Sequence, residues 1–132
     1  MSAADNARVE DSRPATILVV EDDPAVRGLL GKVLRGAGYD VLEAPDGRQG
    51  MSVYRRTRPD LVLLDIVMPE KDGLETLQEI RKLDASAVIF TMSGGTWSVD
   101  NNQVATLLGA ERSFLKPIDL GELLEAIRAV LR

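Results

Sequence analysis

Five side chains in this 132-residue sequence could do chemistry together: the carboxylates of Glu21, Asp22 and Asp65, the hydroxyl of Ser93 and the ammonium of Lys116. Three carboxylates drawn into one place repel one another, and without compensation one of them holds a proton. A divalent cation compensates well. The chain contains neither His nor Cys, so any metal must be held by oxygens, which favours magnesium or calcium over zinc. The same absence removes the commonest general base and any thiol nucleophile. Magnesium takes about six oxygen ligands, usually keeps several waters and uses only one or two carboxylates directly. Lys116 brings a positive charge for Asp65 or for an anion attached to it, and Ser93 brings a hydroxyl donor. A nucleophilic carboxylate, a metal, a lysine and a hydroxyl are the parts phosphoryl transfer needs, because positioning and charge neutralisation carry that reaction.

These residues meet only if the fold brings them together. Asp65 ends the run Leu61-Val62-Leu63-Leu64, and an unbroken apolar run suits a strand buried on both faces of a parallel sheet. Thr16 to Val20 is a similar strand ending at Glu21-Asp22-Asp23-Pro24, where Asp23 can cap a helix and Pro24 can start it. That helix carries Val26, Leu29, Leu30, Val33, Leu34 and Ala37, with Gly28 and Gly31 inside it and Gly36 and Gly38 closing it. Tyr39 to Ala44 reads as a second strand, and Pro45-Asp46-Gly47 as the turn and cap of a helix running to about Arg56. Leu74, Leu77, Ile80 and Leu83 mark a third helix, and Ala87 to Met92 a fourth strand ending at Ser93. Ser98 caps a fourth helix with Val104, Leu107 and Leu108 on its apolar face; Glu111 to Leu115 is a fifth strand ending at Lys116-Pro117, and Asp119 caps a last helix. Strand and helix alternate five times through short connections, which predicts a parallel sheet with helices on both faces and right-handed crossovers. In such a sheet the strand ends share one edge, where ligands bind. Taken singly, an acidic cluster is a helix cap, a lone Asp a turn former, Ser-Gly-Gly a loop and Lys-Pro a surface turn. All four at one edge argue for a site.

Composition narrows the rest. With 45% hydrophobic and 28% charged residues the chain can build one core in one domain. A net charge of −5 argues against direct nucleic-acid binding. Residues 1–14 are small, polar and charged and read as a disordered tail, leaving 15–132 as the domain. No apolar run has membrane-spanning length and no signal-peptide core is visible, so a cytoplasmic location is expected.

The motifs ILVVEDDPAVR at 17–27, DIVMPEKDGLE at 65–75, TMSGG at 91–95 and LKPID at 115–119 together resemble the receiver domain of bacterial two-component response regulators. The resemblance covers about residues 15 to 132. It implies the flavodoxin-like strand order 2-1-3-4-5. It also implies that Asp65 is the phosphoacceptor, that Asp22 ligates Mg2+ directly and Glu21 assists through water, and that the backbone carbonyl of Val67 is a further ligand. Lys116 would contact the phosphoryl group and Ser93 would follow it. Lys116-Pro117 would be a cis peptide. The implied role is a switch and not an enzyme acting on other molecules: a sensor histidine kinase or phosphotransfer protein phosphorylates Asp65. The face built from the fourth helix, fifth strand and last helix then regulates a protein partner or pairs with a second copy.

Two departures stand out. The family often has an aromatic residue three positions before the lysine, where this chain has Ser113; Phe114 is displaced by one residue and so faces the other side of the strand. The segment Gly94-Gly95-Thr96-Trp97-Ser98 combines two glycines with the single tryptophan, which is expected to pack on the neighbouring helix. Val67 and Gly95 offer no polar side chain to orient an attacking water, which points to slow self-dephosphorylation. A pseudo-receiver, an unphosphorylated scaffold or dimerisation module, is the alternative from another class. A nucleotide- or flavin-binding enzyme is disfavoured, because Glu-Asp-Asp-Pro stands where a phosphate-binding loop needs glycines.

Overall fold

The computed structural model describes residues 13–67, 73–94 and 98–131. The elements alternate as expected: β1 (Thr16–Val20), α1 (Pro24–Gly36), β2 (Asp40–Ala44), α2 (Gly47–Thr57), β3 (Leu61–Asp65), α3 (Gly73–Leu83), β4 (Ile89–Ser93), α4 (Ser98–Leu107), β5 (Arg112–Leu115) and α5 (Leu120–Val130). The five strands are parallel, in the order β2-β1-β3-β4-β5. The observed β2, β4 and β5 begin one or two residues later than the apolar pattern suggested.

Side-chain alternation along the strands splits the interior into two layers. Ile17, Val19, Leu61, Leu63, Phe90 and Met92 face α1 and α5, where Leu30, Leu34, Leu123 and Ile127 cover them. Leu18, Val20, Val62, Leu64 and Ile89 face the other side, against Met51 and Tyr54 of α2, Leu77 and Ile80 of α3 and Ala105 of α4. Burying each such aliphatic side chain contributes about 2 kcal/mol. β3 is central and buried along its whole length, which explains its unbroken apolar run.

The helix starts are chemically fixed. Asp23 accepts from the Ala25 and Val26 amides, with Pro24 at the first helical position. Asp46 caps α2 through the Gln49 amide and Asp119 caps α5 through the Glu122 amide. Each satisfies amides that the helix leaves unpaired.

One expectation about a helix face is corrected. Val104 and Leu107 were expected to face the core, but they are 41% and 86% exposed. Among the residues of α4 whose side chains are described, Ala105 is the buried one, with Leu108 partly buried just beyond the helix. The helix seats on a small side chain and turns two apolar residues outward, so counting large hydrophobics mis-phased it. Leu29 and Leu83 are likewise more than a third exposed.

Phe114 is core, as its parity in β5 predicted. It is 6% exposed and its ring centroid lies 5.6 Å from that of Phe90. Residues 1–12, 68–72, 95–97 and 132 lie outside the described residues, and with them the expectations for the N-terminal segment, Gly95 and Trp97.

Candidate functional site

The carboxyl ends of β1, β3, β4 and β5 meet at one edge. Glu21 and Asp22 follow β1, Asp65 closes β3, Ser93 closes β4 and Lys116 follows β5. One carboxylate oxygen each from Glu21, Asp22 and Asp65 lies within 4.8 Å of the others. Glu21 is fully buried, Asp65 is 2% exposed, and Asp22 opens to solvent. Asp23 is occupied in capping α1, so the helix-cap reading applies to it and not to its two neighbours.

Lys116 links the site. Its ammonium donates to Glu21 Oε1 and, at 3.2 Å, to Asp65 Oδ2. Its backbone amide donates to the Ser93 carbonyl at 2.8 Å, and the Lys116-Pro117 peptide is cis. Gly94 flanks the lysine stem: a Cβ there would lie 3.3 Å from Lys116 Cβ. Burial would lower the Lys116 pKa, but the hydrogen bond to Glu21 and the charge of Asp65 outweigh it and hold the ammonium above its ordinary value. Glu21 moves up, first through burial and then through the neighbouring Asp65 carboxylate, against the pull of Lys116.

The residues fit a magnesium ion. The donors are all oxygens, and Glu21 Oε2 is buried without a hydrogen-bond partner. An orphaned buried carboxylate oxygen is costly, and coordination, directly or through a water, would satisfy it. Glu21, Asp22 and Asp65 would hold the ion.

Two backbone features fix Asp65. The Val67 amide donates to Asp65 Oδ1 at 3.0 Å, holding one oxygen of the acceptor, while the Val67 side chain points to solvent. The first turn of α3 approaches so closely that a Cβ on Gly73 would stand 2.2 Å from the Asp65 carbonyl oxygen. Ser93 is fully buried, on the sheet face that α4 also covers. Two residues back on that face, Thr91 Oγ1 and Ser113 Oγ share a hydrogen bond of 2.7 Å. Ser113 therefore replaces a bulky ring with a hydroxyl paired across β4 and β5.

An apolar groove of about 450 Å³ opens beside Lys116, walled by Val26, Leu29, Leu30, Pro117, Ile118 and Leu120. A larger hollow of about 790 Å³ lies at the opposite edge of the sheet among Arg13, Thr16, Asp40 and Asp60. It holds no part of the carboxylate–lysine cluster, so volume alone does not locate the chemistry.

Glu21, Asp22, Asp65 and Lys116 come together, Val67 touches Asp65 through its amide, and Ser93 is tied to Lys116 through its backbone carbonyl. Sequence reading missed Gly73 as a close-approach residue, Thr91 as the partner of Ser113, and Arg27, whose guanidinium donates to the Glu21 carbonyl at 2.8 Å. The glycine after the Asp65 loop was a visible signal; the other two depend on which strands pair.

Comparison with known proteins agrees with this geometry. Residues 17–128 match the family described as response regulator receiver domain. The chain is 36% identical over 117 residues to sporulation initiation phosphotransferase F of Bacillus subtilis, covering 87% of this chain and 92% of that protein. It is 40% identical over 119 residues to response regulator MprA of Mycolicibacterium vanbaalenii, covering 90% of this chain and 51% of MprA. The chain spans about half the length of several such curated relatives. A CheY-like receiver domain protein from Methanospirillum hungatei superposes with a TM-score of 0.83 at 29% identity, over 89% of this chain and 94% of that one.

Proposed function

The chain belongs to the response regulator receiver domain family, and from its site we propose a phosphorylation-controlled switch in which Asp65 accepts a phosphoryl group from a sensor histidine kinase or a phosphotransfer protein. The observation that carries this reading is the placement of Lys116 between Glu21 and Asp65. An Asp65 oxygen attacks phosphorus in line, the phosphorus–nitrogen bond of the donor's phosphohistidine breaks with its electron pair returning to nitrogen, and the ring leaves as neutral imidazole, keeping the proton already on its other nitrogen. Bound Mg2+ would supply positive charge to the phosphoryl oxygens. Glu21, Asp22 and the Val67 carbonyl would hold it with Asp65. Lys116 pairs with the transferred group and keeps it oriented, and the Val67 amide fixes the attacking carboxylate. The chemistry is confined to the chain's own phosphorylation and its reversal, so the protein is not an enzyme acting on a separate substrate.

The output is carried by α4, β5 and α5. Lys116 and Ser93 are joined through the backbone, so drawing both toward a phosphoryl group pulls β4 and β5 together. Val104 and Leu107 on α4 and Leu115 on β5 are exposed and offer apolar contact to a protein partner or a second copy. Names such as DNA-binding response regulator MtrA belong to relatives roughly twice this length, and a protein partner is the output proposed for this chain. No helix among the described residues is long and apolar enough to cross a membrane, which supports work in the cytoplasm. Val67 gives the rim no polar side chain toward the acceptor, which supports slow self-dephosphorylation.

The test uses beryllium fluoride, a phosphoryl mimic, with Mg2+ and an amide NMR spectrum. Shifts are expected at Ser93, at Lys116 and along Arg112–Leu115. Shifts confined to the carboxylates would favour the pseudo-receiver reading, a scaffold that never switches.

A further inference from the structure

Arg27, on α1, holds the backbone behind the carboxylate cluster and makes no hydrogen bond or ion pair with the three carboxylates themselves. Its guanidinium donates to the Glu21 carbonyl at 2.8 Å and pairs with Glu43 Oε1 at 3.6 Å. Glu43 sits on the edge strand β2 opposite Val19. Its other oxygen receives Arg35 at 3.1 Å, and Arg35 also donates to the Val41 carbonyl. The Glu21 amide, meanwhile, donates to the Ala44 carbonyl at the end of β2. The peptide units on both sides of Glu21 are thus tied to β2, one directly and one through Arg27 and Glu43.

Gly31 completes the arrangement. Glycine is a poor residue in mid-helix, yet here it is buried in the middle of α1. A Cβ at this position would lie 2.8 Å from Glu43 Oε2 and 3.0 Å from an Arg35 guanidinium nitrogen. The missing methyl leaves the notch in which the Glu43 carboxylate sits. A methyl there would push the flexible carboxylate aside, and its pairing with Arg27 would loosen.

We infer that Arg27, anchored by Glu43 in the notch left by Gly31, is a positioning residue that sets where the Glu21 and Asp22 carboxylates point and so sets the affinity of the site for Mg2+. The inference rests on the metal-dependent reading of the site. Groups that hold ligands from behind govern affinity through orientation, and Glu21 Oε2 is buried without a hydrogen-bond partner of its own.

Charge alone gives the opposite sign, which makes the inference testable. Removing a cation that stands behind an acidic site should strengthen divalent-cation binding if Arg27 acts only through its charge. If Arg27 acts by position, the same change weakens binding. The experiment is calorimetric titration of Mg2+ into the whole chain at fixed ionic strength, for wild type, Arg27→Gln, Arg27→Lys and Gly31→Ala. Arg27→Gln is expected to bind Mg2+ at least about tenfold more weakly. Arg27→Lys should recover part of the loss, since one ammonium replaces a fork that serves two acceptors. Gly31→Ala alters no charge and should weaken binding without lowering the thermal midpoint. Wild-type or tighter affinity in Arg27→Gln overturns the inference. If that variant does not fold, Gly31→Ala decides, and wild-type affinity there overturns it equally. A wild-type chain that binds no Mg2+ overturns the metal reading of the site as well, which separates the two failures.

Discussion

The Lys116 ammonium reaches across 51 residues of sequence to stand 3.2 Å from Asp65 Oδ2, and the same nitrogen pairs with the buried Glu21. One flexible cation thus neutralises two carboxylates that packing forces together. Lys116→Gln should remove that compensation and destabilise the chain by about 3 kcal/mol in urea unfolding without Mg2+. With the competing cation gone, Mg2+ should bind more tightly and restore much of the loss through its preference for the folded state. Equal stability with and without Lys116 would contradict this.

Glu21 titrates upward from its ordinary value of 4.5, chiefly because it is buried. The folded state therefore holds this proton more tightly than the unfolded chain. That contribution to stability is fully present below 4.5 and is lost as pH rises through the folded value. Glu21→Gln mimics the protonated form. Without Mg2+ it should unfold at higher urea than wild type at neutral pH, by about 1 kcal/mol, with the gap closing below pH 4.5. Mg2+ should favour wild type. A gap that does not depend on pH would count against the assignment.

Gly73→Ala places a methyl against backbone atoms of Asp65 and Ile66, which cannot swing aside as a side chain can. The expected cost is about 3 kcal/mol by denaturant unfolding, and Asp65 should lose its geometry with it. A variant with wild-type stability would show that α3 shifts freely.

The Thr91–Ser113 hydroxyl pair calls for a double-mutant cycle. Thr91→Val or Ser113→Ala alone leaves the other hydroxyl without its partner in a buried or half-buried setting, at about 1 kcal/mol each. Together they should cost little more than either alone, because both polar groups are then gone. Strict additivity would mean that the 2.7 Å contact couples nothing.

The five βα units were legible because the central strands are short apolar runs and three of the helices, α1, α2 and α5, begin with an Asp cap. Asp65, Asp22 and Lys116 were legible because strand ends in a parallel sheet share an edge, whatever the packing above them. The side taken by Phe114 followed from parity alone. The face of α4 was not legible. Val104 and Leu107 are larger than Ala105, yet the small residue lies inside, and a count of large hydrophobics cannot show which side chain the packing admits. The Arg27–Glu43–Gly31 arrangement was hidden for another reason. It depends on the register of β1 against β2, and no local periodicity encodes that register.

The central claim is that Asp65 accepts a phosphoryl group. Its most direct test is the intact mass of the chain after incubation with Mg2+ and a small-molecule phosphodonor such as acetyl phosphate, for wild type and Asp65→Asn. The prediction is a gain of one phosphoryl group in wild type, dependent on Mg2+ and absent from Asp65→Asn. No gain in wild type, or an equal gain in the variant, would contradict it.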